Sequence, residues 1–202
     1  MSHIVLISGS HRRNSQSSKV ANYVAANITR IDAAATTDII DLAGNPLPLW
    51  DGESGKPDSN TGKVWQPIAV RLQKAEGFVV VSPEWSGMVP AGLKNLFLHA
   101  SAKELGHKPA MIVTVSAGHG GSYPVNELRT SSYKNTRIVY TPDHVIIQNC
   151  GGVLNGDIET DKNDGYIRKR ITFSLRALLA YTEAFKSIRA AGLENAEFPF
   201  GM

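Results

Sequence analysis

Short apolar runs recur along the chain, each bounded by turn residues: Ile4 to Ile7, Ile39 to Leu42, Phe78 to Val81, Met111 to Val115, and Val145 to Ile147. Each is too short for a buried helix, and near-continuous hydrophobicity marks parallel strands covered on both faces. Between them the apolar positions fall at helical spacing. Val20, Val24 and Ile28 predict a first helix; Val64, Ile68 and Leu72 a second; Leu93, Leu96, Phe97 and Ala100 a third. A weaker fourth runs from Val125 to Tyr133, with Pro124 near its start, where a missing N–H is tolerated. The last is long, with Ile167, Ile171, Leu175, Leu178, Thr182 and Phe185 on one side. Arg137 to Tyr140 is a further short run before Pro142, read together with Val145 to Ile147 as one broken fifth strand.

Strand signals alternating with helix signals predict a doubly wound, five-stranded parallel α/β sheet with helices on both faces, because each parallel crossover needs an intervening element. In such sheets function belongs at the carboxyl ends of the strands. The segment Gly44 to Gly62 is rich in Gly, Pro, Asp, Asn and Ser and predicts a surface loop long enough to serve as a lid or an oligomer contact.

A chain of 202 residues suits a single domain, 1–202, with one substantial core. Its 42% apolar and 19% charged residues exclude disordered and fibrous classes. No stretch approaches the run of about 20 apolar residues that a bilayer demands. Membrane insertion is therefore not expected; Met-Ser-His leads straight into Ile4 with no basic region or cleavage site of a signal peptide, and the single cysteine fits a reducing cytoplasm. Cys150 is the one cysteine, which precludes an intrachain disulfide, and the six histidines lack metal-ligand spacing, so no metal is expected. The net charge of +3 is spread without basic runs or interleaved aromatics, which argues against nucleic acid.

Three loops follow strands and could carry chemistry. The first, Ser8 to Ser18, lies between the first strand and the first helix, where free backbone N–H groups and the helix dipole converge. Ser10, Ser15, Ser17 and Ser18 add hydroxyls, and Arg12 supplies a planar fork suited to a phosphate. Helix capping accounts for one or two of these serines but leaves Ser10, Arg12 and the Gly9 turn without a task. The loop lacks the P-loop pattern and Gly-x-Gly-x-x-Gly, which points to a monophosphate and away from a nucleoside triphosphate.

The second loop, Ser82 to Asn95, has two prolines and glycines at Gly87 and Gly92 that stiffen it. Trp85 offers a flat wall for a planar heterocycle, or else closes the core or an oligomer interface. Glu84 has no carboxylate or histidine near it in sequence to make it a general acid. The third loop, Ser116 to Tyr123, carries Gly118, Gly120 and Gly121, which let a ligand approach the backbone closely. His119 is a lone loop histidine, and Cys150 reads as a packed side chain and not a nucleophile.

On Gly9-Ser10-x-Arg12-x-x-Ser15, on Pro83-Glu84-Trp85-Ser86 followed by Pro90-Ala91-Gly92-Leu93-Lys94-Asn95, on the glycine turn after Ser116, and on Leu47-Pro48-Leu49-Trp50-Asp51, the chain resembles the NADPH-dependent FMN reductase family. That group includes flavodoxin-like quinone, azo-dye and chromate reductases. The resemblance implies a flavodoxin-like fold, FMN as cofactor and NAD(P)H as co-substrate. It implies a small-molecule acceptor (a quinone, free flavin, azo compound or metal oxyanion) and a homodimer or homotetramer. By the same resemblance Ser10, Arg12, Ser15, Gln16 and Ser17 bind the FMN phosphate, Pro83, Glu84, Trp85, Ser86 and Gly87 hold the ring edge, and Ser116 and Gly118 lie near the ring. No side chain is required as a catalytic nucleophile. Ser17 and Ser86 stand where many members carry asparagine, and Trp85 where tyrosine is common. Two other classes share the sheet: a flavodoxin-type electron carrier, which by resemblance is strongly acidic and so fits the +3 charge poorly, and a regulatory module without cofactor.

Overall fold

In a computed structural model that describes residues 1–193, 197–198 and 200–201, five strands form one parallel sheet. They are β1 (His3–Ser8), β2 (Thr36–Asp41), β3 (Gly77–Pro83), β4 (Pro109–Val115) and β5 (Val139–Ile147), in the order β2-β1-β3-β4-β5. The helices are α1 (Gln16–Ile31), α2 (Asn60–Lys74), α3 (Ala91–His99), the single turn α4 (Ala102–Leu105), α5 (Ser122–Ser131) and α6 (Lys162–Ala190). Every residue of β3 and β4 is buried, because helices cover both faces. Successive side chains divide between two cores: Ile4, Leu6, Val79, Val81, Met111 and Val113 pack with α1 and α6, and Val5, Ile7, Phe78, Val80 and Ile112 with α2, α3 and α5. This is the flavodoxin-like strand order, in which the chain leaves β1 in one direction, returns to β3 in the other, and opens a crevice between the two loops.

The broken fifth strand is continuous. Ala110 pairs with Tyr140 and Ile112 with His144, so the strand bulges at Thr141, Pro142 and Asp143, where proline cannot donate to the ladder. The second helix is rotated from its predicted face. Thr61, Trp65, Ala69 and Leu72 point inward while Val64 is exposed, because Trp65 buries far more surface than a valine and stacks on His99 at 5.4 Å. The other inner faces follow the predicted positions, with Phe185 only half-buried at the end of α6.

The segment read as a lid or oligomer contact is latched to α3 from within the chain. Asn95 accepts from the Trp50 amide at 2.9 Å and donates to the Pro48 carbonyl at 2.7 Å. His99 meets the same carbonyl at 2.9 Å and the Ser54 hydroxyl at 2.7 Å. The last residues of the predicted loop, Asn60 to Gly62, begin α2, which is capped by the Ser59 hydroxyl accepting from the Gly62 amide. No helix among the described residues is long and apolar enough to cross a membrane.

Candidate active site

The loops after β1 and β3 and the end of β4 enclose a cleft of about 260 Å³ at the β1/β3 switch point. Gly9 makes the turn out of β1. Its amide donates to the Val81 carbonyl at 2.8 Å, and a Cβ there would lie 2.6 Å from Leu93 Cδ2, so only glycine lets the loop hug β3 and α3.

The four serines of the first loop separate into different tasks. Ser15 is the N-cap of α1, its hydroxyl accepting from the Ser18 amide at 3.1 Å, and it retains a hydroxyl proton on the cleft. Ser18 donates to Asp41 at 3.0 Å and does not line the cleft. Ser10 is buried on the cleft and accepts from the Arg12 amide at 3.3 Å. Ser17 is 1% exposed and among the residues lining the cleft, and its buried hydroxyl has no hydrogen-bond partner among the described residues. The amides of Gln16 and Ser17, in the first turn of α1, have no intrahelical acceptor to meet. Arg12 is exposed on the cleft wall, and its guanidinium forms no hydrogen bond or ion pair among the described residues.

Lys19, one turn further, is committed elsewhere. Its ammonium donates to the carbonyls of Cys150 and Val153 and to Asn155 at 2.7 to 2.8 Å, and burial holds its pKa below the ordinary lysine value despite the nearby Asp164 carboxylate. It therefore braces the turn after β5 against α1. Cys150, in that turn, is buried, and burial pushes its thiol up, so it stays a thiol and packs against the cleft.

After β3, Trp85 and Met88 exchange backbone hydrogen bonds at 3.1 and 3.0 Å across Ser86 and Gly87, whose φ values are 51° and 73°. Two consecutive positive φ angles define a type I′ turn, which glycine and asparagine adopt most readily. The turn holds Trp85 half-buried on the cleft, its ring meeting the His11 imidazole at 4.6 Å and 80°. Glu84 belongs to the cleft wall, and its Oε2 accepts from the Gly121 amide at 2.5 Å. The Ser116 hydroxyl turns inward to accept from the Gly118 and Gly120 amides at 3.3 and 3.2 Å.

Ser10, Arg12, Ser15, Gln16, Ser17, Pro83, Glu84 and Trp85 thus converge on one cleft. Ser86 and Gly87 build the turn behind Trp85, and Ser116 and Gly118 build the third loop without lining the cleft. Sequence reasoning missed Asn14, Val115 and Ala117 as lining residues. Asn14 has φ of 50°, a conformation that an asparagine just ahead of a capping serine could have signalled. No group of three or more His, Cys, Asp or Glu residues among the described residues could hold a metal ion.

An exposed cationic fork, an unspent buried hydroxyl, open helix-start amides and a flat aromatic wall suit a phosphate joined to a planar ring. The donor set therefore fits FMN. Among curated proteins, the chain is 26% identical over 190 residues to an NADPH azoreductase of Bacillus sp. (strain OY1-2), covering 92% of this chain and 96% of that one. It is 29% identical over 177 residues to an NAD(P)H-dependent FMN reductase of Schizosaccharomyces pombe, covering 82% and 85%. Its fold matches that of FerB, a flavoenzyme NAD(P)H:(acceptor) oxidoreductase from Paracoccus denitrificans, with a TM-score of 0.70 at 15% identity over 92% of this chain and 99% of that one. The family model for NADPH-dependent FMN reductases matches residues 2–151, and the chain belongs to that family.

Proposed function

We propose that this protein is an oxidoreductase that takes hydride from NADPH or NADH and delivers the electrons to a small conjugated acceptor such as a quinone, an azo compound or free flavin, using FMN held in the β1/β3 cleft. The observation that carries the reading is Ser17, a cleft-lining residue in the first turn of α1 whose buried hydroxyl has no partner among the described residues. A buried hydroxyl left unsatisfied costs free energy that a bound phosphate oxygen returns.

In this reading Ser10, Ser15, Ser17, Arg12 and the Gln16 and Ser17 amides grip the phosphate, and the α1 dipole adds to their field. Trp85 and Pro83 supply apolar surface for the ring, and Ser86 and Gly87 fix the angle of Trp85 through their turn. FMN bound there supplies the two-electron chemistry. The chain's own part is to bind, orient and keep one face of the cleft open to successive small molecules, with no side chain acting as nucleophile. The acceptor class rests on the azoreductase and FMN reductase named among the relatives.

A homodimer or homotetramer fits the exposed Leu98 and the groove that it lines with Val89, Phe97 and Leu128. A cytoplasmic location fits the single unpaired cysteine. The test is the absorption spectrum of the purified protein, followed by bleaching under NADPH and under NADH without oxygen. Yellow protein that bleaches supports the enzyme. Colourless protein that added FMN does not reconstitute refutes it, and flavin that neither nucleotide reduces identifies a carrier instead.

A further inference from the structure

The geometry points to Glu84 as a positioning residue that fastens the glycine turn after β4 to the flavin-side loop after β3. Its carboxylate is a clasp between two loops and not a proton donor. The backbone prepares the contact: the Glu84 amide donates to the Val115 carbonyl at 2.9 Å, extending the ladder between β3 and β4 by one residue past the end of β3. From there the side chain reaches across, and Oε2 accepts from the Gly121 amide at 2.5 Å. That amide is at the N-cap of α5, where a helix start favours a carboxylate.

The partner loop is shaped to admit this group. A Cβ at Gly120 would stand 2.5 Å from Glu84 Oε1 and 2.9 Å from its carboxyl carbon, so the glycine vacates the space that the carboxylate fills. Gly121 has φ of 121°, which few other residues adopt. The same turn is tied at its other end, where the Ser116 hydroxyl takes the Gly118 and Gly120 amides and Gln148 donates to the His119 carbonyl. Glu84 is the link from this turn to β3, and it also lines the cleft, so loosening it loosens the wall that includes Val115 and Ala117. Charge-assisted bonds of this kind are about twice as strong as neutral ones. The clasp stands on geometry alone, while its consequence for the cofactor rests on the FMN reading above.

The experiment compares Glu84→Gln, Glu84→Ala and Gly120→Ala. Glutamine keeps an acceptor oxygen at the clasp, alanine removes it, and the added methyl at residue 120 evicts the carboxylate without touching Glu84. Hydrogen exchange of the Gly121 amide in FMN-free protein reads the clasp directly. Exchange about tenfold faster is expected in Glu84→Ala and Gly120→Ala, and within about threefold of wild type in Glu84→Gln, from the loss or retention of one charge-assisted bond. FMN titration then reads the consequence, with affinity about tenfold weaker in the two alanine variants and largely rescued by glutamine. Unchanged exchange in both alanine variants overturns the clasp, and changed exchange with unchanged FMN affinity overturns the positioning role. Should one alanine variant not fold, the other decides between these results. Wild-type protein that binds no FMN overturns the functional reading and the positioning role with it, a failure distinct from that of the clasp, which the FMN-free exchange reads by itself.

Discussion

Replacing Ser17 with alanine moves stability and ligand affinity in opposite directions. Ser17 is 1% exposed and its hydroxyl is unpartnered among the described residues, and a buried polar group in that state costs about 1 to 3 kcal/mol. Alanine removes that cost and is the better helix former in the first turn of α1. FMN-free Ser17→Ala should therefore be more stable by about 1 kcal/mol, which for a chain of this length raises the melting temperature by about 2 to 4 °C. With FMN present the sign reverses. A hydrogen bond from this hydroxyl to a charged phosphate is worth about 1.5 to 3 kcal/mol, so its loss weakens binding by about 10- to 100-fold. Calorimetry of the FMN-free proteins and fluorescence titration with FMN measure the two halves separately. A FMN-free variant less stable than wild type would mean that the hydroxyl has a partner in the fold. Unchanged affinity would mean that it does not face the phosphate, and the assigned cradle would be wrong.

Three further outcomes follow from the packing and the charges. Trp65→Ala should cost about 3 to 5 kcal/mol in chemical denaturation, whereas Val64→Ala should stay within about 0.5 kcal/mol, because only the tryptophan is on the inner face of α2; equal losses would refute the assigned face. Ser86→Asn should raise the melting temperature by about 1 to 2 °C, since asparagine tolerates the positive φ of the Trp85 turn better than serine does, and a fall on differential scanning would show that the serine side chain has a role of its own. Lys108 donates to the Leu72, Gln73 and Glu104 carbonyls, and burial, reinforced by Arg189, pushes its pKa down from 10.5 to about 8. Its folded pKa lies below its unfolded value, so its contribution to stability is complete above pH 10.5 and is lost as pH falls through about 8, by at most about 3 kcal/mol. Wild-type stability measured against Lys108→Met should accordingly gain between pH 8 and 10.5, and a flat difference would refute the shift.

The sequence by itself determined the sheet, its parallel sense and the places where chemistry could sit. Runs such as Phe78 to Val81 are apolar at every position because both of their faces are buried, and periodicity exposes that directly. The clustering of serines, Gly9 and Arg12 ahead of α1 was equally legible, since a loop that opens a helix after a parallel strand has its amides free wherever it occurs. What each residue does within that loop was not legible. Ser15, Ser17 and Ser18 are chemically identical, and only the fold makes one a cap, leaves one buried without a partner and turns one to Asp41. Val64 and Trp65 compete for the same inner face, and the winner depends on His99 waiting across the interface. The latch of Pro48 and Ser54 on Asn95 and His99, and the reach of Glu84 to Gly121, join residues 37 to 51 positions apart. Local pattern carries the preferences of neighbours along the chain, whereas contacts of that range exist only once the strands are ordered and the loops at their ends are brought side by side.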